Sequence, residues 1–136
     1  MLVARDLLVA LKSVHEIGCV HRDIRPSNII IREDGRSILC GYVPLWRPDM
    51  FGHDNRLGRE CASYTSPELS GVIDHDIAES SDLYSLGYVL VAALTGEPAF
   101  DGEVSDILYH HMTADPDSGR FPSDTPNVVI QFIDKL

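Results

Sequence analysis

His21-Arg22-Asp23-Ile24-Arg25-Pro26-Ser27-Asn28 is the stretch whose reading decides the fold. It lies between a helix-patterned segment, Leu2 to Ile17, and two short apolar runs, Ile29-Ile30-Ile31 and Ser37-Ile38-Leu39-Cys40. In the upstream segment Leu7, Leu8, Leu11, Val14 and His15 recur at three- and four-residue spacing, and Gly18 suits the C-cap. Between the runs, Glu33-Asp34-Gly35-Arg36 has turn chemistry, so residues 29–40 are expected to form a β-hairpin. The eight-residue stretch is therefore a loop at a helix-to-hairpin junction. Asp23 and Asn28 are five residues apart, so one tight loop can bring a carboxylate, the Arg25 guanidinium and an amide to one point.

The bulk composition narrows the class. The chain has 136 residues, enough for one domain with its own core. At 44% hydrophobic and 24% charged it reads as globular. No apolar run reaches about 18 residues, so no membrane span is expected. The start, Met1-Leu2-Val3-Ala4-Arg5-Asp6, lacks the basic-then-apolar layout of a signal peptide. A formal net charge of −10 argues against general nucleic-acid binding, because phosphates would be repelled. Cys19, Cys40 and Cys61 are far apart and form no metal-ligand spacing, so reduced thiols in a cytoplasmic protein are expected. His110 and His111 are adjacent on an expected helix and so face different ways. One is expected buried and the other solvated.

Further along, residues 44–65 are rich in Pro, Gly, Asp and Arg without a period, and read as an irregular loop. It closes on Tyr64-Thr65-Ser66-Pro67-Glu68-Leu69. Ser63, Tyr64 and Thr65 carry hydroxyls but are expected to be ordinary loop residues, not modification sites. Ser80-Ser81-Asp82 then opens an apolar segment running to Leu94, with Ser or Asp as the expected N-cap and Gly96 as C-cap. A helix apolar nearly all round must be buried. A further helix is expected over 103–114, with Val104, Ile107, Leu108 and His111 or Met112 inward, and a last one over 126–136 with Pro126 near its start.

The run 21–28 resembles the catalytic loop of protein kinases, whose pattern is His-Arg-Asp followed by a spaced Asn. Asp82-Leu83-Tyr84-Ser85-Leu86-Gly87 and Leu94-Thr95-Gly96-Glu97-Pro98-Ala99-Phe100 are similar to the family's central-helix and turn motifs, and Ser66-Pro67-Glu68 to its Ala-Pro-Glu. The resemblance implies a mainly α fold with a small β-hairpin, the C-terminal lobe of a kinase-like domain. Its parts would be helix 2–17, catalytic loop 21–28, hairpin 29–40, activation segment 41–68, central helix 81–95 and helices 103–114 and 126–136. It implies ATP and Mg²⁺ as cofactors. Asp23 would take the proton of a substrate hydroxyl, Arg25 would stand for the family's Lys beside the transferred phosphate, and Asn28 would ligate magnesium. His21, Arg22, Asp82 and Glu68 would support the site, with Asp82 hydrogen-bonding the loop backbone.

The chain also departs from that pattern. No Gly-x-Gly-x-x-Gly and no Val-Ala-Ile-Lys-like strand occurs, so the N-terminal lobe is expected to be absent. Where the family has Asp-Phe-Gly, the hairpin register places Gly41-Tyr42-Val43, which removes the metal-binding carboxylate. Asp49-Met50-Phe51-Gly52 would serve only in a slipped register. Loss of one preorganised charged group commonly costs about 10²–10³-fold in rate. Glu60-Cys61 stands where the family usually has Gly-Thr, and Glu68 is expected to lack the ion pair with an Arg further along the family's chain. The expectation is a pseudokinase-like regulatory piece of a larger signalling protein, cytoplasmic and acting on protein partners. Its phrasing is similar to the kinase-like domain of fungal hybrid histidine kinases, which would place it in phosphorelay signalling. An active Ser/Thr kinase completed by an N-lobe and a truncated remnant are the alternatives. A lower lobe alone would leave apolar surface uncovered and bind apolar dyes.

Overall fold

The structure is a computed structural model; it describes residues 2–41, 58–114, 116–133 and 135. Its elements, in order, are α1 (Leu2–Glu16), β1 (Ile29–Ile31), β2 (Ser37–Leu39), α2 (Arg59–Ala62), α3 (Glu79–Thr95), α4 (Val104–Thr113) and α5 (Asn127–Ile133), with 3-10 turns at Pro26–Asn28 and Ser118–Arg120. Among the described residues the elements are mostly helical with a two-stranded hairpin, in line with the expected mainly α fold.

α1 buries Ala4, Leu7 and Leu11, a stripe at three- and four-residue spacing. It stops where Gly18 turns left-handed at φ 73. Gly18 N–H bonds the His15 carbonyl and Cys19 N–H bonds the Val14 carbonyl, a Schellman ending. β1 and β2 pair antiparallel with Ile30 opposite Ile38. Arg32 and Gly35 close the turn, with Gly35 N–H on the Arg32 carbonyl and Arg32 N–H on the Arg36 carbonyl. The hairpin docks on α1, where Asp6 Oδ2 accepts from Ser37 N–H at 3.0 Å.

α3 is the axis of the core. It buries Leu86, Tyr88, Val89, Leu90 and Val91 together with Ser81, Asp82, Ser85 and Gly87. Leu86 and Leu90 are fully enclosed, each contributing about 1.5–3 kcal/mol by burial. They pack with Leu7 and Leu11 of α1, Ile24 of the loop and Ile133 of α5. The start of α3 differs from expectation. The N-cap is Ala78, not a Ser or Asp, and Ser81 Oγ instead accepts from Ala78 N–H at 3.2 Å. Asp82 is thereby left inside the helix, free to point at the 21–22 backbone. Gly96 ends the helix at φ 82, with its N–H on the Ala92 carbonyl. In α4, Ile107 and His111 are buried while His110 and Met112 are exposed. α5 covers Asn127–Ile133 of the expected 126–136, residues 134 and 136 lying outside the described residues, and its Val128 is 70% exposed.

Candidate active site

Asp82 organises the loop. It has no solvent exposure and accepts three hydrogen bonds. His21 N–H reaches Oδ2 at 2.8 Å, Arg22 N–H reaches Oδ1 at 2.8 Å, and His15 Nε2 lies 2.7 Å from Oδ2. A buried carboxylate needs such donors to offset desolvation. Arg22 is at φ 71, the one non-glycine residue with positive φ among the described residues. A left-handed side-chain-bearing residue costs on the order of 1–2 kcal/mol, and the Asp82 bond to its amide holds it there.

That turn sets up the next residues. His21 is buried, and its Nδ1 accepts from Asp23 N–H at 3.3 Å. Burial pushes the His21 imidazole below its usual range, against the opposing pull of the Asp82 charge. Asp23 then faces Asn28 and Arg25. Asn28 Nδ2 donates to the Asp23 carbonyl at 2.8 Å and to its Oδ2 at 2.7 Å. Arg25 Nε lies 2.9 Å from Asp23 Oδ1. That contact is an ion pair outside hydrogen-bond geometry. The loop thus brings Asp23, Arg25 and Asn28 to one point, with His21, Arg22 and Asp82 behind them. Glu68 is not part of this group. It lines a separate cleft with Arg22 and residues 71–77, and no ion pair joins it among the described residues.

Gly41 packs directly against Asn28. Gly41 is at φ 80, and a Cβ there would meet Asn28 Cγ, Nδ2 and Oδ1 at 2.6, 2.6 and 2.7 Å. The Asn28 amide therefore fills the space a side chain at 41 would need. Both Asp23 oxygens are engaged by Asn28 and Arg25. Among the described residues no group of three or more His, Cys, Asp or Glu could hold a metal ion. Among the described residues the donor set as arranged does not fit a divalent cation. Residues 42 and 43 and the 49–52 alternative lie outside the described residues.

The segment after 58 supplies two contacts that the sequence did not announce. Glu60, on α2, accepts from Ser27 N–H at 3.2 Å and its Oε2 lies 3.5 Å from Arg25 Nη1. His15, read above only as a helix-face residue, is a third partner of Asp82. Glu60 carried a signal only through the resemblance, which leads one to expect glycine there; His15 carried none beyond its helical spacing. Cys61 Sγ lies 3.5 Å from Thr65 Oγ1, and burial pushes its thiol up. Ser63, Tyr64 and Thr65 are buried, and Ser63 and Thr65 donate to the Arg59 and Cys61 carbonyls.

The sequence of this loop, helix and turn matches the description "Protein kinase domain" over residues 2–136. The chain belongs to the protein kinase domain family. It is similar to serine/threonine-protein kinase gad8 of Schizosaccharomyces pombe, 33% identical over 121 residues, covering 88% of this chain and 20% of that protein. It is also similar to serine/threonine-protein kinase RUNKEL of Arabidopsis thaliana, 32% identical over 137 residues, covering 98% of this chain and 10% of that protein. Human serine/threonine-protein kinase 16 is 34% identical over 128 residues, covering 83% of this chain and 42% of that protein. This kinase-domain chain thus spans less than half the length of each of these relatives. Among the described residues no helix is long and apolar enough to cross a membrane.

Proposed function

We propose that this kinase-domain chain is the C-terminal lobe of a catalytically impaired, pseudokinase-like module that regulates protein partners within a larger cytoplasmic signalling protein. The observation that carries the impairment is Gly41. It offers no ligand at the family's Asp position, and its missing Cβ is the space into which Asn28 turns. Asn28 in turn spends its amide protons on Asp23. The regulatory reading is supported by apolar surface beside the loop. Ile30 and Ile38 form an opposed pair on one hairpin face, 52% and 43% exposed. An apolar cleft of about 410 Å³, lined by Val3, Ile29, Ile31, Val89 and Pro98, lies between the hairpin and α3. Such surfaces suit contact with another lobe or protein. Placement in a sensor of the fungal hybrid histidine kinase type, with its phosphorelay, rests on the motif phrasing alone.

The second reading is an active Ser/Thr kinase that uses ATP and Mg²⁺ once an N-lobe is joined. It is favoured by the convergence of Asp23, Arg25 and Asn28. The two readings separate on labelled-phosphate transfer by the full-length protein. The impaired reading expects no incorporation above an Asp23→Asn control, and transfer that this control abolishes would overturn it.

Gly41→Asp tests the structural side. With a Cβ 2.6 Å from the Asn28 amide, the substitution is expected to cost about 1–3 kcal/mol in urea unfolding. Gly41→Ala should cost a similar amount, because the clash begins at Cβ. Magnesium should not stabilise the Asp variant more than the parent. A variant as stable as the parent would show that Asn28 moves freely, and the closed arrangement would be wrong.

A further inference from the structure

Arg25 and Ser27 together grip one anion, and that anion belongs to the chain itself. The Glu60 carboxylate accepts a hydrogen bond from Ser27 N–H on Oε1 at 3.2 Å and faces the Arg25 guanidinium from Oε2 at 3.5 Å. A guanidinium and a backbone amide converging on two oxygens of one group is the chemistry that holds a phosphate. The grip is loose. Glu60 is 46% exposed and Arg25 30%, and pairs this exposed are worth about 0–1 kcal/mol. Asp23 Oδ1 on the other side of the guanidinium leaves two carboxylates around one cation. A second anion therefore meets both an occupant and a repulsive field.

We infer that Arg25 and the Ser27 amide form an anion seat that Glu60 occupies from within, so that a phosphate group binds only by displacing Glu60. In this arrangement α2 is both a packing element and a gate. α2 is held by its fully buried Ala62, with only an exposed Arg59–Glu103 pair beside it, so its place does not depend on Glu60. The inference concerns the same loop as the proposed function but needs neither metal nor nucleotide. Its failure and the failure of the impaired-kinase reading are therefore distinct results.

The test is a titration of the full chain with inorganic phosphate in magnesium-free buffer, followed through the Ser27 amide resonance. Glu60→Ala is expected to bind phosphate about fivefold more tightly than the parent, the size of one exposed ion pair. Adding Arg25→Met to Glu60→Ala should abolish the Ser27 response. Glu60→Gln keeps the shape without the charge, and is the variant to use if Glu60→Ala does not fold. A parallel titration with O-phosphoserine distinguishes a free phosphate from a protein-borne one. Equal affinity of the parent and both Glu60 variants would overturn the inference. So would a Ser27 response that survives loss of Arg25, or no response to either ligand in any variant.

Discussion

Asp82→Ala is expected to destabilise the chain by about 4 kcal/mol, measured by urea unfolding at neutral pH. The carboxylate is fully enclosed and is the common acceptor for the His21 amide, the Arg22 amide and His15 Nε2. Alanine leaves those donors without a partner, and each buried unpaired donor costs about 1–3 kcal/mol. The cost rises further because Arg22 is held at φ 71 by the same acceptor. Asp82→Asn keeps the shape but turns an amide donor toward a backbone donor, so it should recover only part of the loss. Glu79→Ala is the control: its carboxylate is 65% exposed and 3.8 Å from His15 Nδ1, so about 0.5 kcal/mol or less is expected. A cost below about 1 kcal/mol for Asp82→Ala would mean that water or a shifted loop satisfies the 21–22 backbone.

Asp82 also marks how far the sequence could be read. The link from a helix aspartate to the loop backbone came from the family motif, and the bonds to His21 and Arg22 are where that motif places them. The phase of α1 was legible because Leu7 and Leu11 follow a local period, and the burial of α3 because its run is apolar nearly all round. The first turn of α3 was not. Ser80 and Asp82 both have capping chemistry, and only packing decides that Ser81 serves Ala78 while Asp82 turns inward. His15 and Glu60 were missed as site neighbours for the same reason. Their contacts span 67 residues to Asp82 and 35 to Arg25, distances at which no local pattern speaks. What surrounds Gly41 was not legible: the space that a side chain at 41 would need is taken by the Asn28 amide, a contact across 13 residues that no local pattern announces.

The second large effect is on acid stability, and His111 is its centre. His111 is 6% exposed in a box formed by Tyr84, Tyr88 and Phe100, with ring centroids 5.7, 4.5 and 5.0 Å away. Its Nδ1 pairs with Tyr84 Oη at 2.9 Å, while Nε2 is buried without a hydrogen bond. Burial lowers its pKa to about 4, although the carbonyls of Ser63 and Ala62 partly favour the proton and neighbouring His110 opposes it. The unfolded chain takes up that proton near the ordinary histidine value of about 6.5. Between the two values the unfolded state binds more protons, so stability falls as pH falls. The His111 contribution should be intact above about pH 6.5 and lost progressively down to about pH 4, on the order of 3 kcal/mol in total. His21, also lowered by burial, adds in the same direction. His111→Phe fits the aromatic box and removes the titrating group, while Tyr84 Oη keeps its 3.1 Å bond to the carbonyl of residue 111. Urea unfolding at a series of pH values should show a much flatter profile for this variant, with the shallow remainder carried by His21. Identical slopes for parent and variant would remove His111 as the source. The packing of α4 against α2 would then owe nothing to a neutral imidazole.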